Sequence, residues 1–215
     1  MSERFPVRLI CVGTKKSGKT SLIKRYMSCY EDFNSSSKDL KNSSTVNERA
    51  YLKNYHLPNG IIIELDIWDT YEDILSLSSL FSRNAKGCFI VCDLSDPDSF
   101  SEISSWASTV RSKRPKAHDD FPIYLIGNKS DLLTESELKK MKKQIAKECT
   151  KHELTDGFLT SCVEGVNVKE PFKKFVEYLG QTGMLAESRD CMSLKLSKDT
   201  RKEMRRRKGK KKCNC

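Results

Sequence analysis

The residues Gly13-Thr14-Lys15-Lys16-Ser17-Gly18-Lys19-Thr20 bring together what a phosphate chain needs. Glycines let the main chain wrap closely, successive N–H groups and a helix N-terminus favour negative charge, a lysine reaches the terminal phosphates, and a hydroxyl ligates magnesium. The spacing fits G-x-x-x-x-G-K-[ST], placed between an apolar run ending at Val12 and a helical pattern that begins at Lys19. Gly13, Lys16, Ser17, Gly18, Lys19, Thr20 and Ser21 are therefore candidate contacts to a nucleoside triphosphate. Thr20 is a candidate Mg2+ ligand and Lys19 a candidate catalytic group. The loop specifies a triphosphate without saying which base it carries.

The base is addressed by Asn128-Lys129-Ser130-Asp131, which follows the apolar run from Ile123 to Gly127. A carboxylate only accepts hydrogen bonds, so Asp131 suits the paired N1–H and exocyclic amine of guanine, a donor pattern that adenine does not offer on that edge. At these residues the chain resembles the Ras superfamily of small GTPases, whose N-K-x-D motif reads guanine. The resemblance implies GTP or GDP as the ligand, with Lys129 along the base plane and Asn128 tying this loop to the phosphate loop. Thr160-Ser161-Cys162 resembles the family's T-S-A element, with Cys162 in the place of alanine, and implies that Ser161 and the Cys162 backbone N–H belong to the base site. The likeness extends over about Phe5 to Gln181, including Arg83-Asn84-Ala85-Lys86-Gly87 and Ser99-Phe100 with Trp106. Ile67-Trp68-Asp69-Thr70 and the carboxy-terminal tail resemble the Rab branch most.

The same resemblance exposes departures. It implies that Thr45 and Asp69 complete the magnesium site with Thr20 and sense the third phosphate. Yet Thr45-Val46-Asn47 stands where the family has T-I-G, and the loop from Thr20 to Thr45 is several residues longer. In Trp68-Asp69-Thr70-Tyr71-Glu72-Asp73-Ile74, Glu72 occupies the family's glycine and Asp73 its water-positioning glutamine. A glutamate beside the third phosphate sets like charges against each other in a poorly screened site. Asp73, the candidate catalytic residue of this segment, is shorter than glutamine, charged, and repelled by the phosphates. Slow hydrolysis is expected. Lys15 and Lys16 fill loop positions that the family keeps small, crowding the space an activating protein's arginine would enter or supplying charge in cis. Two mechanisms stay open: a slow GTPase cycled by exchange and activating proteins, or a nucleotide-bound adaptor with negligible turnover. Tyr30 and Phe33 are alternative stacking partners for guanine.

These residues require a scaffold, and the apolar patterning describes one. Val7–Val12 reads as a strand and Lys19–Tyr30 as a helix, followed by a polar loop from Glu31 to Asn47. Ala50–Leu57 and Ile61–Trp68 flank Pro58-Asn59-Gly60 as a hairpin. Strands at Cys88–Cys92, Ile123–Ile126 and Phe158–Thr160 alternate with helices near Asp98–Lys113, Glu135–Lys151 and Val168–Leu179. That alternation implies an α/β fold with a parallel sheet covered on both faces, and the resemblance makes it a six-stranded, mostly parallel, Ras-like P-loop NTPase sheet. Trp68 and Trp106 read as core packing. The domain is expected to end near Gln181, leaving 182–215 as a flexible tail.

The chain has 215 residues and a net charge of +10, but Arg201 to Lys212 holds nine basic residues and one acid, so all the rest carries only +2. A nearly neutral globule with a basic tail points to an electrostatic anchor rather than a basic binding face. The tail lacks interleaved aromatics to stack bases, so no nucleic-acid partner is expected. The final Cys213-Asn214-Cys215 is not C-a-a-X but looks like the Rab C-x-C ending, which implies geranylgeranyl groups on Cys213 and Cys215. Two lipid chains beside basic residues meet the physical requirement for stable anchoring. No signal peptide or long apolar run is seen, so the expected location is the cytoplasmic face of a membrane, with a cytosolic pool. Exchange proteins, activating proteins and effectors are the implied partners. The nine cysteines, an odd number, are expected to be reduced thiols, the internal ones small buried apolar residues.

Overall fold

The computed structural model describes residues 3–29, 50–57, 60–70, 85–113 and 121–182. Its elements run β1 (Arg4–Val12), α1 (Lys19–Ser28), β2 (Ala50–His56), β3 (Ile62–Asp69), β4 (Ala85–Asp93), α2 (Pro97–Ser101), α3 (Ile103–Lys113), β5 (Ile123–Asn128), α4 (Glu135–Lys151), β6 (Asp156–Leu159) and α5 (Glu170–Gln181), with a 3-10 turn at Ser130–Leu132. The strands form one six-stranded sheet in the order β2-β3-β1-β4-β5-β6. Only the β2–β3 pair is antiparallel; the other pairs are parallel. This is the mostly parallel α/β sheet that the sequence pattern called for.

Its centre explains the continuous apolar runs, because every residue of β4 and β5 is buried, as expected for strands covered on both sides. Alternate residues face opposite layers. Ile10, Val12, Cys88, Ile90 and Cys92 pack with Ile103, Trp106, Ala107 and Val110 of α3 and Ile145 and Cys149 of α4. On the other side Phe89 meets Phe172 of α5 edge-on at 5.0 Å, and Phe172 stacks on Tyr26 of α1 at 3.7 Å. Cys11, Cys88, Cys92 and Cys149 are buried, unpaired thiols. Burial pushes Cys92 up to about 12, so at neutral pH it is an uncharged, compact core residue.

The structure redraws several boundaries. The single helix expected over 98–113 is two, α2 and α3, meeting at Glu102; Asp96 caps the first by accepting from Asp98 N at 3.0 Å. The first helix stops at Ser28, whose hydroxyl donates to Arg25 O at 2.9 Å, a side-chain bond that competes with helix continuation. Of the two tryptophans expected as core packing, Trp106 is core, whereas Trp68 is only partly buried. Its indole donates to Asp66 at 2.6 Å, and the Arg8 guanidinium, also bonded to Asp66, lies 4.2 Å over its ring. Aromatic patterning alone could not separate these two roles.

The chain divides into two units, residues 1–177 and 178–215. Of the second, the described part is Tyr178–Thr182, where the Thr182 hydroxyl donates to Tyr178 O at 2.9 Å. Among the described residues no helix is long and apolar enough to cross a membrane.

Candidate functional site

Loops leaving the carboxyl ends of β1, β3, β4, β5 and β6 carry the polar residues singled out above, the end of a parallel sheet where ligands characteristically bind. The loop after β1 is held tightly. A Cβ on Gly13, at φ +136°, would lie 2.0 Å from Val91 O, and one on Gly18, at φ +95°, would lie 2.2 Å from Asn128 Nδ2. Neither contact is sterically tolerable, so both glycines are required by close approach as well as by backbone conformation. Lys16 also adopts the left-handed region, at φ 62°, where a side chain costs roughly 1–2 kcal/mol. Nothing in the sequence pattern signalled that strain.

Lys19 is nearly buried, and its ammonium donates to Gly13 O at 2.8 Å and Thr14 O at 2.7 Å. A cation thus sits at the centre of the loop, fixed by the loop's own carbonyls. The Ser17 hydroxyl is fully buried without a hydrogen-bond partner among the described residues. Beside it, at the start of α1, Thr20 Oγ1 donates to Asp69 Oδ2. Asp69 is delivered by the parallel register of β3 against Cys11 of β1, and Thr70 locks that strand end by donating both its N–H and hydroxyl to Cys11 O, at 3.3 and 2.6 Å. A hydroxyl and a carboxylate in contact are the hard oxygen donors that Mg2+ accepts, so these two residues fit such an ion.

The second half of the site is joined to the first most directly by the Asn128 side chain. Asn128, 1% exposed, donates from Nδ2 to Ser17 O at 3.0 Å. Its Oδ1 accepts from Thr160 Oγ1 at 3.3 Å and Cys162 Sγ at 3.1 Å. The loop after β6 is pinned in turn, because Ser130 N donates to Thr160 O at 3.0 Å and Ser161 N to Val166 O at 3.0 Å. Ser161 Oγ donates to Asp131 Oδ1 at 2.5 Å and accepts from Glu164 N at 3.1 Å. Asp131 is thereby oriented, and both of its oxygens keep lone pairs that can accept from a ligand.

Three further residues belong to this network: Asp93 and Ser95, which no motif singled out, and Ser99, which the resemblance included without a role in the site. Lys129, held at φ 65°, places Nζ 2.5 Å from Asp93 Oδ2. Ser95 donates its N–H and hydroxyl to Asp93 Oδ1 at 2.9 and 2.7 Å. Ser99 Oγ accepts from Asp93 N at 2.8 Å and shares a 2.7 Å hydrogen bond with Thr14 Oγ1, closing the circuit back to the phosphate loop. The available signal was an acidic residue at the exit of an apolar strand followed by turn-forming residues, which is common to many strand ends. Thr45, Asp73, Glu72, Tyr30, Phe33, Cys213 and Cys215 lie outside the described residues.

The Ras family model matches residues 8–181 of the chain. The chain is 30% identical over 184 residues to the Ras-related protein Rab-32D of Dictyostelium discoideum, spanning 83% of this chain and 76% of that one. It is 27% identical over 208 residues to the Ras-related protein Rab-7b of Bos taurus, spanning 94% and 97%. With the Ras-related protein RabT2 of Dictyostelium discoideum it shares 24% over 179 residues.

Burial alone would raise the Asp93 pKa, but hydrogen bonds from Lys129 and Ser95 outweigh it and hold the carboxyl below its ordinary value. A depressed folded-state pKa contributes stability above the unfolded value, and that contribution fades as pH falls through the folded one. Asp93→Asn is therefore expected to lower the melting temperature at neutral pH and to lose less further stability than wild type between about pH 5 and 3. Melting curves across that range check this; parallel acid limbs for the two proteins would show that the Asp93 network contributes nothing.

Proposed function

Taking as premise that this chain belongs to the Ras family of GTP-binding switch proteins, we propose that it is a membrane-anchored, Mg2+-dependent guanine-nucleotide switch that hydrolyses GTP slowly and acts in vesicle traffic. The observation that carries the reading is the Asn128 bond to Ser17 O, which couples a loop of guanine-reading composition to a phosphate loop in one rigid frame. In this reading residues 1–181 form the nucleotide domain and 182–215 the tail.

The backbone of Gly13, Lys16, Ser17, Gly18, Thr20 and Ser21, with the Lys19 ammonium, would receive the phosphates. Thr20 and Thr45 would hold Mg2+, with Asp69 beside them; such an ion supplies positive charge where charge develops on the phosphates. Asp131, oriented by Ser161, accepts the guanine N1–H and amine, and the Cys162 backbone N–H meets the guanine oxygen. Because the Lys129 ammonium is committed to Asp93, its methylene stem is the part left to lie along the base. The Rab-like relatives and the Cys-x-Cys ending support exchange proteins, activating proteins and effectors as partners, and lipid on Cys213 and Cys215 as the anchor.

Turnover is limited by Glu72 and Asp73. Both bring negative charge to a place where the family uses a neutral N–H and a neutral amide, so the protein approaches the third phosphate with less help and more repulsion. Single-turnover GTP hydrolysis with Mg2+ tests this. Wild type is expected to be slow and Asp73→Gln faster by at least about tenfold, the scale of a restored transition-state contact. Stable binding of GTP with no turnover in either protein would instead favour the adaptor.

The anchor is tested by membrane fractionation from cells. Wild type is expected largely in the membrane pellet and Cys213→Ser/Cys215→Ser in the supernatant; two equally soluble proteins would remove lipidation from the account.

A further inference from the structure

Base recognition by a backbone N–H makes no demand on the side chain at position 162, yet the sulfur is placed with care. Cys162 is half-buried, and its Sγ lies 3.1 Å from Asn128 Oδ1. The other donor to that oxygen, Thr160 Oγ1, is farther, at 3.3 Å, and is also 3.5 Å from Gly127 O. Asn128 matters because of how its amide is turned. With Nδ2 toward Ser17 O, it joins the base loop to the phosphate loop at 3.0 Å. Rotated by half a turn it would set oxygen against oxygen there, and break that joint. Ser17 O, which only accepts, sets which end of the amide faces it, and donors on the Oδ1 side strengthen that orientation by satisfying the carbonyl oxygen it leaves there.

We propose that Cys162 is a positioning residue for bound nucleotide: its S–H, donating to the Asn128 carbonyl, holds the carboxamide in the orientation that grips Ser17, and so lengthens the time the site retains a guanine nucleotide. This rests on the guanine-nucleotide reading above. The thiol's surroundings suit a donor. Burial raises its pKa, with Asp131 adding to the rise, against the lowering influence of the Asn128 bond and Arg25. At neutral pH the sulfur therefore keeps the proton that it donates. The role is distinct from base contact, because it acts through Asn128 on the phosphate loop.

The test measures release of preloaded radiolabelled GDP into excess unlabelled GDP with Mg2+, for wild type, Cys162→Ser, Cys162→Ala and Cys162→Val, each shown to be folded by circular dichroism. Alanine and valine remove the donor while leaving the backbone N–H, one reducing volume and the other keeping it. Both are expected to release GDP about three- to tenfold faster, the scale of one lost neutral hydrogen bond. Serine, which keeps a donor, is expected to stay within about twofold of wild type. A packing role would separate alanine from valine and would not be rescued by serine. Release at the wild-type rate from both alanine and valine variants, or serine as fast as alanine, overturns the proposal while leaving guanine binding intact. Wild type that fails to retain GDP at all overturns both.

Discussion

One buried amide organises the site. Asn128 sits almost without solvent contact, so both ends of its side chain must find partners inside the protein. Satisfying them requires Ser17 from the loop after β1 on one side and Thr160 and Cys162 from the loop after β6 on the other. Three chain segments far apart in sequence are thereby fixed relative to one another. The closeness of the joint is visible in Gly18, which has no room for even a methyl group against the Asn128 amide. A site assembled in this way needs little reordering when a ligand arrives, and that saving strengthens binding.

Charge is arranged around the same frame. Lys19 is held inside the phosphate loop by carbonyls, and Lys129 is held at the base loop by Asp93. Asp93 is itself linked through Ser99 to Thr14. Each half of the site therefore contains a fixed cation, Lys19 held within its own loop and Lys129 held by a carboxylate that is tied to the phosphate loop. Thr20 and Asp69 add converging oxygens at the third corner. The described frame is thus well suited to a magnesium-bound anion, while the sequence puts Glu72 and Asp73 where reaction of that anion would be assisted. In the proposed function, tight retention and poor turnover are compatible, because different segments govern them.

The parts legible in the sequence were those governed by local spacing. The phosphate loop is a contiguous string between a strand and a helix, and its glycines, lysine and threonine could be read directly. The parallel sheet and its strands followed from apolar runs, since β4 and β5 are buried throughout and β3 alternates, while the strand count came from the resemblance. What could not be read were consequences of tertiary approach. The Lys129–Asp93 pair and the Ser99–Thr14 bond join motif residues to partners far away in sequence, and no local pattern predicts those pairings. The Cys162 thiol contact depends on a β5–β6 register that places position 162 beside Asn128. The break at Glu102 escaped because apolar spacing continues through it into Ile103, Trp106 and Ala107.

The central claim is that Asp131 and its frame select guanine. The most direct measurement is equilibrium binding of GDP, ADP and xanthosine diphosphate to wild type and Asp131→Asn by isothermal titration with Mg2+. An asparagine replaces an acceptor oxygen with a donor, which opposes the guanine amine and suits the xanthine carbonyl. The account predicts GDP binding to wild type with ADP and the xanthine nucleotide excluded, and a shift of preference from guanine to xanthine in Asp131→Asn. Equal affinity of wild type for GDP and ADP, or a preference unmoved by the substitution, would contradict it.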